Sequence, residues 1–206
     1  MTAESSPDSS PADSPSPRRT RLTPERAAEL YEAVIDLLCE VGYESLTMDA
    51  VAARTRSSKA TLYRQWKGKP QLVASALRHH KPIKVADIDT GTLRGDLLAL
   101  SAVADPARLE QDMALMRGLG HAVACNPDLN RALREELIEP EMAEMRRLLQ
   151  RAVDRGELDP ATPALEFVAH MMIGAVVTRP LIEDRPADPD YLTRFINAVL
   201  LPALGM

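Results

Sequence analysis

Between Leu46 and Lys69 the chain reads LTMDAVAARTRSSKATLYRQWKGK, and this stretch concentrates its hydrogen-bond donors. Ser58 fits an N-cap, which leaves the first N–H groups of the following helix, and its positive dipole end, available to a phosphate. The exposed face of that short helix offers Lys59, Thr61, Tyr63, Arg64 and Gln65. Lysine and arginine bond guanine edges, and a threonine methyl can touch a thymine methyl. Tyr63, Thr47 and Lys69 suit phosphate oxygens. The chemistry indicated is reading of a nucleic-acid duplex. Catalytic chemistry is poorly supported. Cys125 follows His121 by four residues without an acid partner or glycine-rich loop, and adjacent helical side chains such as His79 and His80 point about 100° apart. No catalytic residue, metal site or cofactor is expected.

Positioning such donors takes a small rigid head. Thr23 is the N-cap of a first helix, with Pro24 at its first position, Glu25 in its first turn and Gly42 just past its end. Leu30, Val34, Leu37, Leu38 and Val41 form its apolar stripe. A second helix runs from Thr47 to about Arg54 and buries Met48, Val51 and Ala52. After Thr55-Arg56-Ser57 the third helix runs from Ser58 to about Trp66, with Leu62 and Trp66 turned inward toward Val51. Lys67-Gly68-Lys69-Pro70 breaks it, and Pro70 opens a fourth helix that ends before Pro82. Two short helices separated by about three residues have the form of a helix-turn-helix.

Over about 24 residues the sequence resembles the TetR family of transcriptional regulators, through Thr47, Ala52-Ala53, Ser58-Lys59-Ala60-Thr61-Leu62-Tyr63-Arg64 and Lys69. The resemblance extends roughly over residues 22–81. It implies base contacts from Lys59, Ala60, Thr61 and Tyr63, and backbone contacts from Thr47, Thr61, Tyr63, Gln65 and Lys69. Arg56-Ser57 stands where many members have Gly-Val. If that turn needs a left-handed residue, Arg56 costs on the order of 1 kcal/mol there.

Composition agrees with an all-α chain: among 206 residues there are 9 Gly and 7 aromatics, with apolar spacing of three and four almost throughout. Net charge is uneven, being -3 over residues 1–17, +5 over 18–81 and -7 over 82–206, so a polyanion partner is expected for the middle block alone. The organisation expected is a disordered Ser/Pro-rich tail at 1–20, a DNA-binding domain at 21–69, a linking helix at 70–81 and a helical effector-binding and dimerisation domain at 82–206. The tail ends in Arg18, Arg19 and Arg21, a candidate basic arm. No secretion signal is visible, Cys39 and Cys125 fit free thiols, and the apolar run Phe167 to Thr178 has 12 uncharged residues, so a cytoplasmic protein without a membrane partner is expected.

Further helices are expected at 93–104, 107–124, 128–155, 163–179 and 189–203, with a kink or a split at Pro140. The helix at 163–179 is apolar nearly all round and must be covered on two sides. With the last helix it would form a four-helix interface between two copies, using Leu165, Val168, Met172, Val176, Leu192, Phe195 and Val199. The resemblance implies the same homodimer and a palindromic double-stranded operator. Six of nine methionines lie between residues 113 and 172. They serve equally as core filler or as the lining of an adaptable apolar pocket. Candidate ligand contacts are Met113, Met116, Met142, Phe167 and Met171, with Arg146, His121 and His170 as polar candidates. The expected function is a ligand-responsive repressor released by a small, mostly apolar effector. The alternative is a regulator of the same fold controlled by abundance or a protein partner.

Overall fold

The computed structural model describes residues 23–80, 85–102 and 106–206, leaving out the side chains at 106–110, 113, 116 and 117. The expected tail, with Arg18 and Arg19, lies outside the described residues, as do the side chains of Met113 and Met116. Among the described residues the secondary structure is helical throughout. Four helices make the head: α1 (Pro24–Ser45), α2 (Met48–Thr55), α3 (Lys59–Trp66) and α4 (Lys69–His80). The body holds α5 (Leu93–Ser101), α6 (Pro106–Cys125), α7 (Pro127–Leu133), α8 (Glu139–Asp154), α9 (Val168–Glu183), α10 (Pro189–Phe195) and α11 (Leu201–Ala203).

Local capping explains where the head's helices begin. Thr23, Thr47 and Ser58 are extended N-caps whose hydroxyls accept from the backbone N–H groups of Arg26, Ala50 and Thr61. Gly42 takes φ 72° and ψ 170° and kinks α1, which carries on to Ser45. Val41, expected in the buried stripe, is therefore exposed, while Ile35 is buried. Gly118 of α6 lies opposite this bend, where a Cβ would meet the Leu38 carbonyl oxygen at 3.0 Å. Glycine there lets α6 press directly on α1.

Among the described residues two large apolar cores organise the chain, with a small third one at Ala175, Ala187 and Leu192. The first contains Leu30, Leu38, Val51, Leu62, Trp66 and Leu72 of the head, and continues without a break into Leu115, Leu119 and Ala122 of α6 and Leu129 and Leu133 of α7. The second joins Leu93 and Leu97 of α5, Leu148 and Ala152 of α8, Val168 of α9, and Ile196 and Leu200 near the C-terminus. Residues 127–154 form one helical run through both cores, with a π turn at Arg134–Ile138 between α7 and α8. The interruption expected at Pro140 takes the form of this π turn, which separates α7 from α8 just before the proline without ending the helical run. The proline ring would clash with a carbonyl in the preceding turn, and the wider π turn just before it accommodates that ring. A second π turn, Ile196–Leu200, precedes Pro202 in the same way.

The helix expected at 163–179 begins as a 3-10 segment, Pro163–Phe167, and continues as α9 to Glu183 with Pro180 inside it. This run of 21 residues is long and apolar enough by composition to cross a membrane, unlike the shorter stretch expected from the sequence. Asp96, fully buried, ties α5 to the preceding loop: its Oδ1 accepts from the Thr90 N–H at 2.6 Å and hydroxyl at 2.7 Å. Arg155 lies 3.5 Å from its other oxygen, so the buried carboxylate has a cation beside it.

Candidate nucleic-acid interface

The turn between α2 and α3 decides how the donors are presented. Arg56 caps α2 in the left-handed region at φ 52° and ψ 35°, and the Ser57 N–H then donates back to the Ala52 carbonyl at 3.0 Å. Arginine thus adopts the conformation that glycine would take more cheaply. Lys67 ends α3 in a similar conformation, φ 62°. Between these turns Leu62 and Trp66 are buried, and the indole N–H donates to the Tyr31 hydroxyl at 3.3 Å. Burying that face turns Lys59, Ala60, Tyr63, Arg64 and Gln65 to solvent. Thr61 is half-buried, its hydroxyl 2.8 Å from that of Ser58. Thr47 and Ser58, both exposed, lie at the starts of α2 and α3.

Each cation has a distinct setting. The Lys69 ammonium donates to the Tyr43 carbonyl at 2.9 Å and stands 4.1 Å above the Tyr43 ring, which fixes it at the start of α4. Burial, with Glu44 and Asp128 adding to it, pushes the Tyr43 phenol up to about 12, so it stays neutral beneath that cation. Arg54 bonds Glu40 on α1 twice, at 3.1 and 2.7 Å, which raises the guanidinium's pKa and lowers the carboxyl's. Arg26 donates to the Thr55 carbonyl and clasps the end of α2 to α1. Lys59 donates to Asp49 at 2.9 Å, and this bond holds its pKa above the ordinary lysine value. Arg64, exposed on α3, has no ion pair among the described residues.

This arrangement is a helix-turn-helix DNA-binding module: a packed head, two capped helices across a tight turn, and an outward row of donors on the second. A family model described as bacterial regulatory proteins, tetR family, matches residues 30–76, and one described as tetracyclin repressor-like, C-terminal domain, matches 87–199. The chain belongs to the TetR family of transcriptional regulators, and it is a regulator and not an enzyme. An uncharacterized HTH-type transcriptional regulator of Mycobacterium bovis is 36% identical over 179 residues, 87% of this chain and 88% of that protein. The DNA-binding transcriptional repressor TetR of Mycobacteroides abscessus is 33% identical, over 85% of this chain and 92% of its own length. A TetR family transcription regulator of known crystal structure superposes with a TM-score of 0.63 at 30% identity, covering 85% of this chain and 97% of that one.

Among the described residues the body's candidates are dispersed. Met142 is half-buried and Arg146 exposed on one open groove of about 480 Å³, which adjoins another of about 540 Å³ around Asn130, Arg134 and Glu139. Both follow the π turn along the surface. His121 is exposed, 3.8 Å from the Cys125 sulfur. Phe167 and His170 are also exposed, their rings 6.2 Å apart, whereas Met171 packs on the second core. These residues do not converge on one cavity. Among the described residues no three His, Cys, Asp or Glu side chains are grouped to hold a metal.

The residues expected between two copies divide in two. Val168 and Leu192 are buried inside their own chain, and Leu165, Met172 and Phe195 pack partly against its cores. Val176 and Val199 are exposed. Ile173, Val177, Leu181 and Ile182, which the sequence reading did not single out, are exposed with them, the last two at 79% each.

Proposed function

We propose that this regulator is a repressor that binds a palindromic operator as a homodimer and is released by a small, mostly apolar effector. The row of exposed apolar side chains on α9 carries the dimer part, because Leu181 and Ile182 leave on one helix the kind of surface that a partner helix covers. Two copies present two recognition helices, which a two-fold operator with half-sites about 34 to 36 Å apart would match. Repression is supported by the name of the Mycobacteroides abscessus relative. Residues 21–69 then read DNA, 70–81 link, and 82–206 receive the effector and dimerise. Work on chromosomal DNA puts the protein in the cytoplasm.

Coupling runs through α4. Lys69 at its start sits at the DNA side, and His80 at its end is buried and bonded to Asp112 of α6 at 3.0 Å. The first core spans α1, α4, α6 and α7, so a shift of α6 against the second core would tilt the head with it. An effector that prefers the shifted form weakens DNA binding, and DNA weakens the effector by the same factor. The open, partly charged grooves favour a second reading, a regulator governed by its own abundance or by a protein. The test adds a small-molecule extract of the source cells to the protein bound on operator fragments recovered from its genome. Release, with two chains per fragment, is the expected result. One chain per fragment would overturn the dimer, and failure of all extract fractions to release it would favour the second reading.

A further inference from the structure

Asp49 stands in the first turn of α2, two residues after Thr47, and its carboxylate takes the ammonium of Lys59, the first residue of α3, at 2.9 Å. The pair bridges the helix-turn-helix on its outer side, with side-chain exposures of 71% for the acid and 52% for the lysine. Exposed ion pairs add little to folding stability, so scaffolding is a weak explanation for it. Arg54 and Lys69, by contrast, are bonded to the head's own frame through Glu40 and Tyr43. Arg64 has no acid among the described residues. Lys59 is thus the cation of α3 that a carboxylate already occupies at the surface where DNA would lie.

We infer that Asp49 is a specificity-determining residue, which holds the Lys59 ammonium away from phosphates and yields it to a base edge. The inference rests on α3 being the recognition helix. A lysine ammonium has three donors, and the carboxylate takes one. A guanine edge, with O6 and N7, can take the others without displacing the acid. A phosphate gains less, because it must approach a carboxylate of its own sign. Asp49 therefore penalises complexes held only by the DNA backbone, and discrimination rises because non-operator binding falls. A phosphate drawn to the Lys59 ammonium would lie about 7 Å from the Asp49 charge, which at the dielectric of water lowers affinity about threefold, and without Lys59 no phosphate is drawn there.

The experiment measures binding of the full chain to a 24-base-pair duplex of scrambled sequence, by fluorescence anisotropy over a range of salt. Selection from a random duplex pool accompanies it. Asp49→Asn should tighten scrambled-duplex binding about threefold per subunit and steepen the salt dependence by about one counterion per subunit. The selected pool should also become less biased at one base pair of each half-site. In a Lys59→Ala background the same change should have less than half that effect. Thermal unfolding checks that Asp49→Asn folds as the wild type does. Unchanged or weaker scrambled-duplex binding, or an equal effect without Lys59, would overturn the role of Asp49. Unaltered binding by Lys59→Ala alone would instead overturn the assignment of Lys59 to DNA, and this inference with it.

Discussion

Arg56→Gly should make the protein more stable. In the turn Arg56 holds φ 52° and its side chain is exposed. A left-handed conformation costs an L-residue roughly 1–2 kcal/mol, while glycine costs about 0.5–1 kcal/mol more chain entropy on folding. The balance favours glycine by about 0.5–1 kcal/mol. The backbone bonds of the turn, Ser57 N–H to Ala52 among them, do not involve the side chain and survive. For a chain of this length that gain raises Tm by about 1–4 °C, measurable by scanning calorimetry. Lys67→Gly, at φ 62°, should act with the same sign, and Asp184→Gly, at φ 53°, by less, because aspartate tolerates this region better. A lower Tm for Arg56→Gly would refute the reasoning, since it would mean that the arginine side chain contributes more than its conformation costs.

Lys69→Ala should weaken binding to every duplex alike, whereas Lys59→Ala should also relax preference at particular base pairs by about 1–3 kcal/mol, as competition binding with variant duplexes would reveal. Replacing Leu181 and Ile182 together by Glu should yield a monomer by light scattering, because it sets charges on the apolar face of α9; an unchanged dimer would move the interface elsewhere. Asp188 caps α10 and bonds the buried Arg179 at 3.0 Å. Burial works against its ionised form but is outweighed by the Tyr191 N–H and by Arg179, so its pKa is lowered. Its contribution to stability is then present above its unfolded value and lost as pH falls through the lower folded value. Asp188→Asn should cost less than about 1 kcal/mol at pH 7, because solvent screens the partly exposed carboxylate, and progressively less as pH falls through the lowered folded value, by thermal unfolding over that range; a gap that stays constant with pH would contradict the assignment.

The head was legible in the sequence because its signals are local. Thr23, Thr47 and Ser58 each lie within three residues of the N–H they cap. Leu62 and Trp66 recur at helical spacing and are both buried. Contacts between distant segments left no such mark. The bond from Lys59 to Asp49 depends on how the turn folds, and Gly118 matters only because α6 crosses α1 there. Helix α9 is apolar on all sides, so its inward and outward faces looked alike; Val168 turned inward, and Leu181 and Ile182 lay beyond a proline that reads as a stop. The π turns before Pro140 and Pro202 followed the same difficulty: a proline shows where a regular helix is interrupted and does not show how the chain absorbs it.

Reading of a two-fold operator by α3 is tested most directly by sequencing the DNA that the purified protein recovers from its fragmented genome. The enriched fragments should share an inverted repeat with half-site centres about 10 base pairs apart. Fragments with no common sequence, or with a single half-site lacking its inverted mate, would contradict it.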